Sequence, residues 1–210
     1  METAGIGSRD ALARALSGAL PGAAAQADMA PEYLSCSDLG APEGCREASV
    51  LVLLYPSAGS IRFPLIVRAD STGPHGGQIG LPGGEREGSE TPGEAALREA
   101  EEELGVEPAA VELLGALSEL YVPSSRFRVR PLVGWSAARP RFRPSPAEVA
   151  ALLEPGLGEL LDPANRRSGA REVRGRRWTV PYYQLAGREV WGATARILSE
   201  LRALLLGAGL

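Results

Sequence analysis

The sequence has few of the residues from which covalent or metal cross-links are built. It contains two cysteines, Cys36 and Cys45, and a single histidine, His75, in 210 residues. The cysteines lie nine residues apart with no histidine between them, so we expect neither a zinc site nor a disulfide framework. Free thiols are the expected state, as in other proteins of a reducing compartment.

Lysine is absent, so all 22 positive charges are arginines, and 26 Asp and Glu residues leave a net charge of −4. This balance argues against general nucleic-acid binding. Arginines cluster over residues 126–143 and again over 166–177. Two interpretations stay open for these clusters: solvated strand edges and loops, or recognition of a multiply phosphorylated small molecule.

Long hydrophobic runs are also absent. No stretch of 18 apolar residues occurs, so no transmembrane helix is expected. The first 20 residues carry charges among their apolar positions and lack the basic start of a signal peptide. We therefore expect a cytoplasmic protein that does not associate with membranes, and the length suits one domain with a buried core.

Hydrophobic patterning predicts the main elements. Residues 11–20 have helical spacing, and residues 30–47 are typical of a loop. Apolar runs predict strands, the first two forming a hairpin, and the C-terminal segment from Glu189 predicts an amphipathic helix. The predicted strands are residues 48–55, 61–68, 111–121, 126–135 and 178–183. The polar, arginine-rich residues 165–177 predict a mobile loop, and Pro131 favours an edge position or a bulge for its strand.

One further helix is predicted with defined ends. Thr91 is placed as N-cap, Pro92 occupies the first helical position, and Glu94 completes a capping box. Gly105 stands where a left-handed residue ends a helix, so the helix covers residues 92–104. With helices interleaved among the strands, an α+β sandwich with a mixed sheet between helices is expected.

The helix carries three carboxylates on one face. At about 100° per residue, Glu99, Glu102 and Glu103 fall within an arc of roughly 100°. Like charges at this spacing repel unless a cation lies between them, and hard divalent ions such as Mg²⁺ or Mn²⁺ prefer carboxylate oxygens. The alternative is a solvated acidic helix face.

The spacing around this helix resembles the Nudix box, Gly-x5-Glu-x7-Arg-Glu-U-x-Glu-Glu-x-Gly-U, where U is apolar. All nine specified positions are matched within 23 residues: Gly84, Glu90, Arg98, Glu99, Ala100, Glu102, Glu103, Gly105 and Val106. The resemblance implies the Nudix fold, an α/β/α sandwich, and hydrolysis of a nucleoside diphosphate derivative. It also divides the chain into an N-terminal extension, residues 1–47, and a Nudix hydrolase domain, residues 48–210.

The same resemblance implies the metal site. Glu99, Glu102 and Glu103 would bind Mg²⁺ or Mn²⁺, helped by a backbone carbonyl of Gly83 or Gly84. Such ions neutralise a diphosphate, polarise a phosphoryl oxygen and lower the pKa of a bound water.

Further site roles follow from the resemblance. Arg98 would orient the glutamates, and Glu90 would support either the loop or a water molecule in the outer shell of the metal. The base that takes the proton from water is Glu102, Glu103 or Glu148, and the sequence does not choose among them. Glu148 also has a second interpretation, as an acidic residue at a helix N-terminus after Ser145 and Pro146.

The segment before the box, HGGQIGLPGG, resembles that of coenzyme A diphosphatases within the Nudix family. On this resemblance Arg68, His75 and Gln78 would contact the substrate, which would be coenzyme A or an acyl-CoA. Gly73 stands where these enzymes have a second arginine. Other departures from their motif are Ile66, Ala69, Ile79 and Leu81.

Three hypotheses about function therefore stay open. The chain hydrolyses a CoA compound, it hydrolyses another nucleoside diphosphate derivative such as ADP-ribose, NADH or a dinucleotide, or it senses a ligand without turnover. Pairing of edge strands or N-terminal helices makes a homodimer an expectation.

Overall fold

The computed structural model describes residues 8–34, 40–69, 76–173 and 175–210. Over these ranges the α-helices are α1 (Arg9–Leu16), α2 (Gly22–Ala27), α3 (Pro92–Leu104), α4 (Leu157–Leu161) and α5 (Gly192–Gly207). The strands are β1 (Arg46–Ser57), β2 (Ser60–Arg62), β3 (Leu65–Arg68), β4 (Ile79–Gly80), β5 (Gly83–Glu85), β6 (Glu112–Ala116), β7 (Leu120–Val122), β8 (Phe127–Trp135), β9 (Val149–Leu153), β10 (Arg166–Val173), β11 (Arg176–Leu185) and β12 (Arg188–Trp191).

Strands β1 and β8 form the parallel centre of a six-stranded mixed sheet. They pair from Arg46 opposite Phe127 to Leu54 opposite Trp135. Strands β2 and β5 pair with β1, and β6 and β7 pair with β8, all antiparallel. Because a parallel pair needs a crossover, the chain between β1 and β8 has room for helix α3.

Strand β1 supplies both cores of the molecule because its side chains alternate between the two faces of the sheet. Leu51, Leu53 and Tyr55 are fully buried in one cluster, which also contains residues of α3. Val52 and Leu54 belong to a second cluster, which contains residues of α5. The predicted sheet between helices is thereby confirmed.

Helix α3 has the predicted ends. The hydroxyl of Thr91 accepts from the Glu94 N–H at 3.2 Å, and the Glu94 carboxylate accepts from the Thr91 N–H at 2.8 Å. Gly105 is left-handed, with φ 65°. The capping box and the stop at Leu104 are confirmed.

The second predicted strand is wrong in one respect, because residues 61–68 do not form a single hairpin strand. β2 follows β1 after a two-residue turn and pairs with it antiparallel. β3 lies in another sheet, with the order β4-β3-β9. Pro64 lies between them and has no N–H for a ladder, and the Phe63 N–H donates to the Pro155 carbonyl at 3.2 Å. This break carries β3 to the edge where the candidate site forms.

Pro131 lies in a central strand and not at an edge of the sheet, but the pairing register of that strand shifts at this position, in line with the bulge that the sequence also allowed. Strand β8 has β1 on one side, and on the other it has β7 up to Val129 and β6 from Leu132 onward. Pro131 thus falls at the division between two partner strands, where its missing N–H costs no ladder bond.

Residues 165–177 were predicted to form a mobile loop. This prediction is wrong, because the segment contributes strand β10. It pairs with β11 from Arg166 opposite Tyr183 to Val173 opposite Arg176, and β11 pairs with β12. Strand β10, with the sequence RRSGAREV, is mostly polar and has no apolar face, so the hydrophobic pattern gave no strand signal. Strand β12 was also missed, so the C-terminal helix begins at Gly192 and not at Glu189.

The predicted amphipathic C-terminal helix buries four apolar residues at helical spacing, Ala195, Leu198, Leu201 and Leu205. At the other end of the chain, the predicted helix stops at Leu16, and α2 follows as a second, unpredicted helix. Six residues rich in alanine gave too short a pattern to mark it.

Helix α1 packs on the rest of the domain through Leu12 and Leu16, whereas α2 is held by a fully buried carboxylate, Glu200. It accepts from the N–H of Gly22 at 3.1 Å, the N–H of Ser118 at 3.1 Å and the side-chain amide of Gln26 at 2.9 Å. Ser118 separates β6 from β7, so this contact also accounts for the division of the single strand predicted over residues 111–121.

Cys45 is a free, half-buried thiol, whereas Cys36 lies outside the described residues. Among the helices of the described ranges, none has the length and apolar character needed to cross a membrane.

Candidate active site

Two glycines allow the loop before helix α3 to lie close to its neighbours. A Cβ on Gly83, which has φ 150°, would stand 2.3 Å from the Ser49 carbonyl oxygen of β1. A Cβ on Gly84 would stand 2.3 Å from Oε1 of Glu99. Neither contact is possible for a real side chain, so the sequence Gly-Gly brings the β5 backbone directly against both the sheet and the helix carboxylate.

Glu103 is the buried carboxylate of the site, with 2% of its side chain exposed. Its Oε2 accepts from the Gly83 N–H at 2.9 Å, and its Oε1 lies 3.8 Å from Nη1 of Arg68. Burial raises the pKa of Glu103 to about 7, against the lowering effects of the Gly83 N–H and Arg68. A nearby cation would therefore strongly favour its ionised form.

Glu99 and Glu102 share a partner in Arg98. Nη1 of Arg98 lies 3.0 Å from an oxygen of each carboxylate. Glu99 is mostly buried and Glu102 is 54% exposed. Burial also raises the pKa of Glu99. The three carboxylates of the helix thus occupy one face and run from the interior to solvent.

Arg98 also holds the loop that precedes the helix. Its Nε donates to Oε1 of Glu90 at 2.7 Å, and Nη2 donates to the Glu85 carbonyl at 3.0 Å. The hydrogen bonds from Arg98 lower the pKa of Glu90. One guanidinium therefore links two carboxylates of α3 to the loop at residues 85–90.

Glu148 approaches the same carboxylates from another element. It immediately precedes strand β9, so its interpretation as a helix N-terminal residue is wrong. Its carbonyl accepts from the Ala69 N–H at 2.8 Å, which joins the ends of β9 and β3. The negative charge of Glu148 contributes to the raised pKa of both Glu99 and Glu103, after the larger effect of burial.

Of the expected substrate contacts, Arg68 reaches the site and Gln78 lies beside it. Arg68 ends β3, where its N–H donates to the Gln78 carbonyl and its carbonyl accepts from the Gly77 N–H, each at 2.9 Å. His75 lies outside the described residues, as does Gly73.

Arg86 was missed by reasoning from the sequence, because it occupies an unspecified position of the box. Its Nε donates to the Glu90 carbonyl at 3.0 Å, and its guanidinium pairs with Glu47 of β1. It ties the loop to the sheet, as Arg98 ties it to the helix. Its only sequence signal is a charged residue inside a glycine-bounded loop.

The donor set fits a hard divalent cation in its chemistry, since it consists of carboxylate and carbonyl oxygens. Within the described ranges, however, no three carboxylate, histidine or cysteine side chains converge as a ready-made metal cage. The reason lies in the contacts: Arg98 lies against Glu99 and Glu102, while Glu103 turns to the Gly83 N–H. The fold and the site define an α/β/α domain with an acidic helix suited to cation binding.

Comparison with known proteins gives the family. The NUDIX domain pattern matches residues 46–184. The chain is 34% identical over 161 residues to Nudix hydrolase 15, mitochondrial, of Arabidopsis thaliana, a match covering 73% of this chain and 56% of that protein. It is 35% identical over 159 residues to the uncharacterized Nudix hydrolase NudL of Pectobacterium atrosepticum, covering 74% and 81% of the two chains. The chain belongs to the Nudix family.

The solved structures agree with this fold. The Nudix hydrolase RenU of M. smegmatis superposes with a TM-score of 0.54 at 22% identity, covering 77% of this chain and 86% of RenU. At this identity the likeness shows the fold alone. The chain spans about half the length of the Arabidopsis relatives that it matches.

Proposed function

We propose that this chain hydrolyses the diphosphate linkage of a nucleoside diphosphate derivative with the help of Mg²⁺ or Mn²⁺. The observation that carries the proposal is the buried Glu103, which lies on one helix face with Glu99 and Glu102. A buried carboxylate with a pKa near 7 is costly to maintain unless a cation uses it.

Glu99, Glu102 and Glu103 would hold the metal, with a carbonyl of Gly83 or Gly84. When bound, the metal supplies charge neutralisation for the diphosphate and acidity for a water molecule. Arg98 holds the two outer carboxylates and the loop in place, and Glu90 anchors Arg98.

Glu148 is the base that we favour, because it belongs to a separate element and its charge acts on two of the helix carboxylates. In this scheme Glu148 takes a proton from water while the water oxygen forms a bond to one phosphorus atom. The bond from that phosphorus to the bridging oxygen breaks, and the second phosphate leaves with the bridging oxygen. Glu102 and Glu103 are the other candidates for this role.

Coenzyme A or an acyl-CoA is the substrate that we place first, with 3′,5′-ADP and (acyl-)4′-phosphopantetheine as products. The support is the segment from Gln78 to Gly84 and the position of Arg68, 3.8 Å from Glu103, where a guanidinium can meet a phosphate. Gly73 in place of an arginine favours the alternative, a different nucleoside diphosphate derivative such as ADP-ribose, NADH or a dinucleotide.

The test is a product screen of the purified chain with Mg²⁺ and with Mn²⁺. The compounds are coenzyme A, acetyl-CoA, dephospho-CoA, ADP-ribose, NADH and diadenosine polyphosphates. Faster cleavage of coenzyme A than of dephospho-CoA is expected, because only the former carries the 3′-phosphate. Preference for ADP-ribose or a dinucleotide would overturn the CoA assignment. Tight nucleotide binding without any turnover would overturn the enzyme assignment and favour a ligand sensor.

A further inference from the structure

A cleft lies between the segment 76–79 and the hairpin of β11 and β12. Its volume is about 630 Å³, within the range of small-molecule sites. Gln184, Glu189 and Trp191 line it on the hairpin side, and Gln78 lies on the other side. None of the three hairpin residues has a role in the diphosphate chemistry described above.

The hairpin wall is held by stacked and charged contacts. Trp191 pairs with Tyr182 across the strands, and the guanidinium of Arg171 lies 5.1 Å from the Trp191 ring centre and 5.7 Å from that of Tyr182. Arg171 also forms an ion pair with Glu189. These contacts fix the indole and the carboxylate before any ligand arrives, which lowers the entropy cost of binding.

The polar groups of the wall share a face with the indole. Gln184 and Glu189 are cross-strand partners, two residues from Tyr182 and Trp191 respectively, so all four project to one side of the hairpin. The amide offers a donor and an acceptor, and the carboxylate offers an acceptor. A planar ring, an amide and a carboxylate suit a flat heterocycle with an exocyclic amino group better than a flexible chain.

The cleft is connected to the carboxylates through Arg68. The Arg68 N–H donates to the Gln78 carbonyl at the rim of the cleft, and its guanidinium lies 3.8 Å from Glu103. Gly83 follows Gln78 by five residues, which span at most about 18 Å when extended. An extended nucleoside diphosphate derivative can therefore occupy both places at once.

We propose that this cleft binds the adenine-type base of the substrate, with Trp191 as the stacking surface and Gln184 and Glu189 reading the amino-bearing edge. The inference rests on the proposed function for the position of the diphosphate. It adds a base-recognition site that the box residues do not contain.

The test compares Trp191→Leu with Trp178→Leu, a matched change on the same sheet outside the cleft. With coenzyme A or ADP-ribose as substrate, whichever the product screen shows to be cleaved faster, Trp191→Leu is expected to raise KM at least about tenfold and to change kcat less than about threefold, in line with the loss of base stacking. Trp178→Leu is expected to leave KM unchanged. A fall in kcat with unchanged KM would show a structural role and would overturn the proposal.

A binding measurement separates this inference from the proposed function. In calorimetric titration, AMP should bind the unaltered chain at least about tenfold more tightly than ribose 5-phosphate, and Trp191→Leu should abolish the difference. Gln184→Leu serves the same purpose should Trp191→Leu fail to fold. If the chain cleaves no diphosphate yet keeps this preference, the enzyme assignment fails and the base site stands. If it cleaves diphosphates without the preference, or if the variants weaken 4′-phosphopantetheine binding instead, the base site is wrong.

Discussion

The decisive residue of the site is Glu103, because it alone among the carboxylates of α3 is almost fully buried. Glu103→Gln keeps the shape and the hydrogen bond from the Gly83 N–H but removes the charge. We expect kcat in Mg²⁺ to fall by at least about 10²-fold, in line with lost charge stabilisation at a metal site.

Glu101→Gln is the control for this change. Glu101 lies on the same helix and is exposed, at an unspecified position of the box. The control removes the same charge from the helix, so its kcat should stay within about twofold of the original. An unchanged rate in Glu103→Gln, or an equal loss in both variants, would remove Glu103 from the metal site.

Gly84 tests the close approach of loop and helix. In Gly84→Ala the new Cβ would meet the Glu99 carboxylate at 2.3 Å, so the carboxylate must move away from the loop. We expect Mg²⁺ binding, measured by titration of activity against metal concentration, to weaken at least about tenfold, as for other loosened metal ligands. Gly158→Ala is the control, because nothing lies within 4 Å of its added Cβ. Equal metal affinity in Gly84→Ala would show that Glu99 does not bind the ion.

The raised pKa of Glu103 makes stability depend on pH. Folding raises this pKa from about 4.5 to about 7. The folded metal-free chain therefore binds the extra proton between these values. The stabilisation from this group is complete below about pH 4.5 and is lost as the pH rises through 7. Because Mg²⁺ competes with that proton, the rise in Tm on adding Mg²⁺ should grow between about pH 5.5 and pH 8.

Glu103→Gln has no such proton to release. Its Tm increase on adding Mg²⁺ should be small and nearly independent of pH. A pH-independent Mg²⁺ effect in the unaltered chain would contradict the assignment of this titration to Glu103.

At the scale of the element, helix α3 shows what local signals can predict. Its start is specified by Thr91 and Glu94 and its end by Gly105, so both boundaries were available from neighbouring residues alone. Spacing also placed three carboxylates on one face. Spacing does not predict how deeply each of these carboxylates is buried. Glu103 is buried and Glu102 is exposed because Gly83 and Arg68 approach from elsewhere in the chain.

Strand β10 and the division of β6 from β7 show the opposite case. β10 is mostly polar and carries three arginines, and it becomes a strand because β11 provides a partner over eight residue pairs. The break at Ser118 depends on Glu200, a residue 82 positions away. Tertiary contacts determine both features, and the local sequence shows no periodic pattern that would predict either of them.

The capping box at the start of α3 is expected to stabilise the folded protein measurably. Thr91→Ala removes the hydroxyl that accepts from the Glu94 N–H, so unfolding in urea should require about 1 kcal/mol less free energy. Thr91→Ser keeps the hydroxyl and should lose much less. Because the carboxylates lie in the later turns of the helix, kcat at saturating Mg²⁺ should change less than about twofold in both variants. A large loss of kcat in Thr91→Ala would show that the helix start also positions the site.

At the scale of the whole molecule, Glu200 joins three parts of the chain. It lies in α5 and binds the start of α2, the side chain of Gln26 and the backbone between β6 and β7. Because Glu200 is fully buried, water cannot take its place as the acceptor of these hydrogen bonds. We therefore propose that the described part of the N-terminal extension that carries helices α1 and α2, residues 8–34, packs on the domain as part of it.

Glu200→Ala tests this architecture. It would leave the N–H groups of Gly22 and Ser118 and the amide of Gln26 without their acceptor, so the free energy of unfolding in urea should fall by at least about 3 kcal/mol. Glu200→Gln keeps one acceptor and should lose less. Glu172→Ala, an exposed change on β10, should alter stability by less than about 0.5 kcal/mol. Hydrogen exchange should show α2 opening before α5 in Glu200→Ala, because the helix loses the contact at its first residue while α5 keeps its own core. Exchange that accelerates equally in both helices, or a stability unchanged by the substitution, would mean that the extension is held by its apolar contacts and that Glu200 does not join it to the domain.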